Sequence, residues 1–393
     1  MYSDILMDID LSKFQSLDQF YRMTQFTGSM NRAISNNLYG INHRNIKSII
    51  PENRDSYGLV FFTRPQLNLT NANLRNVRKF YSLLTTNPNS IHRYVRNMLD
   101  PRLAQWTDGG FGELIDKAAK TISTGKIEKS ELYANMHTPI INCPMVDENL
   151  AFIPILTNTI KSMSGWPDIV LPSYTSKEGA RREQWIMADG AVDIYESFDI
   201  DCTFRNIKDE PLVLLFETWL RYMSLVYEGM ISPYFDFVIE NEIDYMTRIY
   251  RLVLDENKTY VKKIAAVGAG FPVNVPNGKF FDFEDSEKYN NNNKDINIRF
   301  KCIGAEYNDD ILVHEFNATS AIFNPDIKKL INTGRSDTLA RVPFNLLELF
   351  NNRGYPLIDK NTLELRWYVN KNSVAYKEVI NAFSRIQPKY FKV

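Results

Sequence analysis

Positive charge is not in excess in this chain: 46 lysines and arginines stand against 47 aspartates and glutamates in 393 residues. Proteins dedicated to binding nucleic acid carry a basic excess or stripe that neutralises phosphates, so that class is set aside. Cysteine is scarce. Cys143, Cys202 and Cys302 are far apart and odd in number, so no disulfide framework is expected and the chain reads as made in a reducing cytoplasm. No Cys-x-x-Cys pair occurs, which removes the usual structural zinc sites. The four histidines (His43, His92, His137 and His314) show no helix-face or finger spacing. His314-Glu315 opens like a metalloprotease helix, but Ala318 stands where the second histidine is required. Long apolar runs are missing too: the longest, Leu212 to Phe216, falls far short of the ~20 residues of a membrane span. Asp4, Asp8 and Asp10 come early without lysine or arginine, so no secretory leader is expected.

Motifs for nucleotide and nucleophile chemistry are equally thin. Neither a P-loop nor a Gly-x-Ser-x-Gly elbow is present. Gly268-Ala269-Gly270 has the first half of a dinucleotide fingerprint, but Val273 occupies the third glycine position and Pro272 disfavours helix at Phe271. A turn between strands is the expected role. Cys202 and Cys302, on strand faces, read as small core residues rather than reactive thiols. Two acidic groups remain: Asp199 with Asp201, and Asp282 with Glu284 and Asp285. Residues i and i+2 of a strand share a face, so a glycosidase pair or a calcium site is geometrically allowed, although calcium-loop spacing does not follow. No cofactor and no metal is expected.

What the chain does have is apolar and aromatic residues in clear periods. Ser56 to Thr63 reads as a buried strand. Leu74, Val77, Tyr81 and Leu84 form one helical stripe behind Thr70 or Asn71, and Ile91, Tyr94, Val95 and Met98 form a second behind Ser90, ended by Pro101. A short helix is expected around Thr157 to Met163. Val192, Ile194, Phe198, Ile200, Cys202 and Phe204 alternate as a long half-buried strand. Asp209-Glu210-Pro211 then starts a helix through Phe216 and Trp219 that stops near Gly229. This helix is apolar round most of its circumference, so it sits either in a core or between its own sheet and a neighbouring subunit. Tyr245 to Leu254 and Val261 to Val267 read as strands, and Ile296, Ile298, Phe300 and Cys302 alternate strictly with Asn297, Arg299 and Lys301. Beyond residue 310 the pattern weakens, with a helix near Val342 to Asn351 and a strand at Leu363 to Val369. Asn290 to Asn293 reads as a solvated loop tip.

The run from Trp166 to Asp309 resembles the tail-tube and tube-like baseplate proteins of large contractile-tailed bacteriophages. The resemblance rests on Ile169-Val170-Leu171-Pro172, the strand ending at Phe204, Phe216-Glu217-Thr218-Trp219 on the helix, and above all Gly268-Ala269-Gly270-Phe271-Pro272-Val273 before an alternating strand. It implies an α+β, β-rich fold: a tail-tube-like barrel or sandwich core with one packed helix, a largely helical insertion and terminal extensions. The core is expected at 56–64 and 166–309, the insertion at 65–165, an N-terminal arm at 1–55 and a C-terminal extension at 310–393. Core and assembly would rest on Phe198, Ile200, Phe204, Phe216, Trp219, Phe271, Pro272, Ile296, Ile298 and Phe300. The implied role is a non-enzymatic virion protein, a tail tube segment or tube-initiating baseplate protein, made in the host cytoplasm. Its partners would be copies of itself in a hexameric ring, together with sheath, baseplate and tube proteins; DNA would pass through unbound, and no membrane insertion is implied. A carbohydrate-active hydrolase on a β-rich scaffold and a capsid or neck protein are the alternatives.

Overall fold

A computed structural model describes residues 57–105, 143–190, 196–255, 257–281, 294–342 and 354–373, and residues 285, 286, 347, 376, 377, 380 and 381. The expected N-terminal arm at 1–55, the strand start at Val192 and Ile194, the acids Asp282 and Glu284 and the loop tip at 290–293 lie outside the described residues, as does most of the expected helix at 342–351.

Six strands form one antiparallel sheet in the order β1-β6-β7-β8-β5-β2. They are β1 (Gly58–Phe62), β2 (Ile160–Ser164), β5 (Ser197–Arg205), β6 (Ile249–Leu254), β7 (Val261–Pro272) and β8 (Asp295–Tyr307). The sheet curls into a half-barrel, and the fold is mixed α+β with about equal helix and strand. β3 (Ser173–Thr175) and β4 (Ile186–Ala188) make a separate hairpin, and β9 (Leu339–Val342), β10 (Tyr355–Ile358) and β11 (Leu365–Asn370) a small second sheet.

The alternation legible in β5 and β8 does what it predicts. The two strands pair from Ser197↔Ile303 to Arg205↔Asp295, placing Ile200, Phe204, Ile296, Ile298 and Phe300 on one buried face. Among the described helices are α1 (Asn71–Arg75), α2 (Ile91–Leu99), α3 (Pro154–Thr159) and α4 (Pro211–Tyr227). Leu212, Leu215, Phe216 and Trp219 of α4 fill that face. The ring of Phe216 lies 5.7 Å from Phe204 and 6.0 Å from Phe300, and Phe62 of β1 reaches Phe300 at 5.4 Å. α2 covers α4 from the other side, so the helix's all-round apolarity is satisfied largely within its own chain. Leu67, Leu69, Phe80, Val95, Ile153 and Leu156 share this core, so residues 65–105 and 143–159 pack as part of it.

A second core lies on the opposite face of β1, β6 and β7. Phe61, Tyr250, Leu252 and Ile264 are covered there by α6 (Asp310–Phe323), whose Phe316 ring sits 5.1 Å from Phe152 and 5.3 Å from Tyr250. α5 (Phe235–Glu240) precedes β6, and α7 (Pro325–Thr333) follows α6. The weak pattern after residue 310 thus conceals two helices, because α6 meets both a sheet and α7 and shows no single clean stripe.

Three further readings are corrected. The stripe through Tyr81 and Leu84 is not one helix: α1 ends at Arg75, and a 3₁₀ helix runs Arg78–Leu84. The buried residues are Leu74, Val77, Phe80 and Leu83, while Tyr81 is 56% exposed; a step of three is the period of three residues per turn. The helix expected to reach Met163 ends at Thr159, and Ile160–Ser164 instead pairs with β5 as an edge strand. Gly268 to Pro272 is not a turn, because β7 continues through it. A Cβ on Gly270 would lie 2.9 Å from Cys302 Sγ, and one on Gly268 would lie 3.1 Å from the Ile303 carbonyl. These glycines permit close strand approach. Opposite them, Gly304 takes φ +70° and the alternation changes step: Cys302 faces the first core, whereas Glu306 lies opposite Ala266 of the second.

Candidate assembly surface

α6 covers only part of the sheet's second face; among the described residues the β5–β8 part stays open. Here stand the polar residues that alternate with the core: Asp199, Asp201 and Thr203 on β5 and Asn297, Arg299 and Lys301 on β8. Arg299 Nε donates to Asp201 Oδ1 at 2.9 Å, and Lys301 Nζ lies 3.0 Å from Asp199 Oδ1 as a charge contact without hydrogen-bond alignment. All four side chains are substantially exposed, so solvent and salt screen both pairs and neither adds much stability. Their larger effect is to make the face self-neutral. Asp201 and Arg299 also line a shallow groove of about 480 Å³ with Thr203, Asn274 and Asn297. The acidic pair singled out in the sequence is therefore already matched by two cations.

The sheet ends at β2, whose outer edge pairs with no strand among the described residues. Lys161 and a register shift between Ile160 and Ser162 blunt indiscriminate pairing there. At the other end, β1 is partly closed: Ile153 N–H donates to the Phe62 carbonyl and Arg64 N–H to that of Ala151.

From Gly165 the chain leaves the body as an arm. Trp166 packs edge-on at 6.0 Å against Tyr307, whose hydroxyl donates to the Pro167 carbonyl at 2.6 Å. Beyond this anchor nearly every residue to Gly190 is exposed, including Val170, Tyr174, Trp185 and Met187.

Of the residues expected to carry core and assembly, Ile200, Phe204, Phe216, Trp219, Ile296, Ile298 and Phe300 converge in the first core, with Phe198 half-buried against it. Phe271 and Pro272 separate: Pro272 is buried, whereas Phe271 sits half-buried opposite Lys301, its ring 5.9 Å from Tyr245. Burial raises both strand thiols, Cys302 to about 12 and Cys202 further. Among the described residues no cluster of three or more His, Cys, Asp or Glu side chains is placed to hold a metal ion, and no helix is long and apolar enough to cross a membrane.

Sequence reasoning missed a buried polar hub. Arg64 Nε donates to the Met98 carbonyl at 3.0 Å, and its other nitrogens reach those of Asn97, Glu148 and Leu150. Arg96 donates to the Leu69 carbonyl and to Asn71 Oδ1, both at 2.9 Å. Desolvation by burial lowers each guanidinium to about 10, leaving both charged at neutral pH. Asp100 accepts from Leu69 N–H at 2.9 Å and from the Tyr234 hydroxyl at 2.8 Å. No periodicity marks these residues, since a buried arginine reads like a surface one until its partners are known.

A family model described as "Putative phage tail tube protein" matches residues 7–384. The chain belongs to that phage tail tube family. It is thus a structural protein of the phage tail and a component of the virion. No curated protein matches it. Three solved structures each align with 40% of the chain. One is the anti-feeding prophage cap, a tube-terminating cap, at 13% identity over 81% of that chain with a TM-score of 0.24. Another is the sheath/tube terminator of the extracellular contractile injection system PVC in its extended state, at 13% over 86% and 0.23. The third is the PVC sheath-tube complex, at 14% over 82% and 0.23.

Proposed function

We propose that this tail protein is a non-catalytic building block whose copies close into a ring around a DNA channel. The observation that carries the reading is the curled sheet, which among the described residues is unclosed: an unpaired edge at β2 beside an open, charge-balanced β5–β8 face. Closing a sheet removes its exposed edges, and here closure needs strands from a neighbouring copy. The balanced face suits a lumen, because DNA must slide past it and a basic lining would hold phosphates. Six copies is the number the family resemblance implies. The place in the tail is a tube segment or the baseplate ring on which a tube starts, with sheath or baseplate proteins as outer neighbours.

Cryo-electron microscopy of the purified full chain over a concentration series tests this directly. Closed rings or short tubes, with β5–β8 facing the channel, are the expected result. A dispersed monomer at every concentration, or rings with β5–β8 facing outward, overturns the reading.

A further inference from the structure

Among the described residues two apolar surfaces lack cover, and they differ in charge. The first is on the arm. In the β3–β4 hairpin Tyr174 lies directly opposite Met187, and Trp185, two residues before Met187, shares that side of the strand. They are 49%, 58% and 74% exposed. An isolated two-stranded hairpin is at best marginally stable in water, so this face calls for a partner. The hairpin's tip carries three cations, Lys177, Arg181 and Arg182, against Glu178 and Glu183.

The second surface is α5. Phe235, Val238 and Ile239 stand at i, i+3 and i+4, one helical face, and are 78%, 55% and 62% exposed. Glu240 and Glu242 follow them in the chain and are exposed, Asp236 is paired with Arg102, and no lysine or arginine occurs from residue 228 to 244. α5 is nevertheless firmly seated. Phe237 is buried, the Tyr234 hydroxyl is held by Asp100, and the guanidinium carbon of Arg102 lies 4.7 Å from the Phe237 ring centre.

We infer that the arm of one copy docks on α5 of the next, Tyr174, Trp185 and Met187 covering Phe235, Val238 and Ile239 while the cationic tip meets the acidic rim. The inference rests on the reading that copies of this chain assemble, and it names the contact. An interface between two different patches is heterologous, which generates rings or stacked arrays rather than a closed pair. Aromatic residues on a rigid hairpin suit its centre, because tryptophan and tyrosine dominate interface energetics. The opposed charges orient the approach and make it salt-sensitive.

The test is complementation between full-length variants, read by light scattering after gel filtration, with circular dichroism melts confirming the fold. Trp185→Asp removes the arm half and Ile239→Asp the helix half. Each variant alone is expected to lose the assembly that the unsubstituted chain forms at the same concentration, weakening association roughly tenfold or more. Mixed in equal amounts, they are expected to stop at dimers, since one intact arm still finds one intact α5. A second pair keeps the surfaces apolar: Arg182→Glu weakens assembly and Glu240→Arg in the same chain restores it. Assembly unchanged by Trp185→Asp and Ile239→Asp overturns the contact while leaving the ring reading intact. An unsubstituted chain that never assembles overturns both.

Discussion

Asp100 has no exposed surface, and burial raises its carboxyl from 3.8 to about 6, opposed by the Tyr234 hydroxyl, the Leu69 amide and the charge of Arg96. The folded state therefore binds this proton more tightly than the unfolded chain does. The resulting stabilisation is complete below about pH 4 and is lost as pH rises through 6, a difference of about 3 kcal/mol. In Asp100→Asn that slope should vanish, so the variant's melting temperature relative to the parent should climb from pH 4 to 7. A flat difference across the window would show that Asp100 does not titrate as a buried acid. Arg64 carries the opposite logic, since its removal strands the carbonyls of Asn97, Met98, Glu148 and Leu150. Arg64→Met is expected to cost about 3–5 kcal/mol in urea unfolding; a loss below about 1 kcal/mol would mean that water replaces the guanidinium.

At the scale of elements, α4 and the sheet depend on each other. Phe216 touches Phe204, Phe300 and Trp219, and Phe216→Ala should cost about 3–5 kcal/mol by leaving a cavity between helix and strands. Gly165 controls a different junction, the exit of β2 into the arm. Its φ is +101°, and a Cβ there would lie 2.2 Å from the Asp199 carbonyl oxygen. Gly165→Ala is therefore expected to pull β2 from β5, seen as faster hydrogen exchange at Ser162 to Ser164 with the α4 core still protected. Uniform protection would argue that the backbone absorbs the methyl. Strands β5 and β8, the most legible in the sequence, have one face buried and one open, so period and position agree, while α4 is legible from its Asp-Glu-Pro start and its apolar length. The 3₁₀ helix at Arg78–Leu84 differs from the expected α-helix because its buried residues recur every three positions, and β2 differs because pairing with β5 selects strand over helix there.

The whole molecule brings acids and bases into register across strands. If β5–β8 lines a channel, Asp199 and Asp201 screen Lys301 and Arg299 from passing phosphates. The double variant Asp199→Asn, Asp201→Asn unmasks two cations. In fluorescence anisotropy with duplex DNA, its binding should strengthen, and the slope of log affinity against log salt should steepen by about 2. An unchanged slope would mean that this face does not meet DNA.

The sequence alone determined the alternating strands, the apolar helix between them, the lack of metal and nucleotide motifs, and the tail-tube resemblance that the family match bears out. These are local patterns, set by which side of a strand or helix meets water. Only the tertiary structure decided that Gly268 and Gly270 serve strand approach, that Asp199 and Asp201 are spent on Lys301 and Arg299, and that Arg64 and Asp100 are buried. It also decided that, among the described residues, β2 is an edge and the arm and α5 stand uncovered. Each depends on which distant residue becomes a neighbour, and no periodicity along the chain records that.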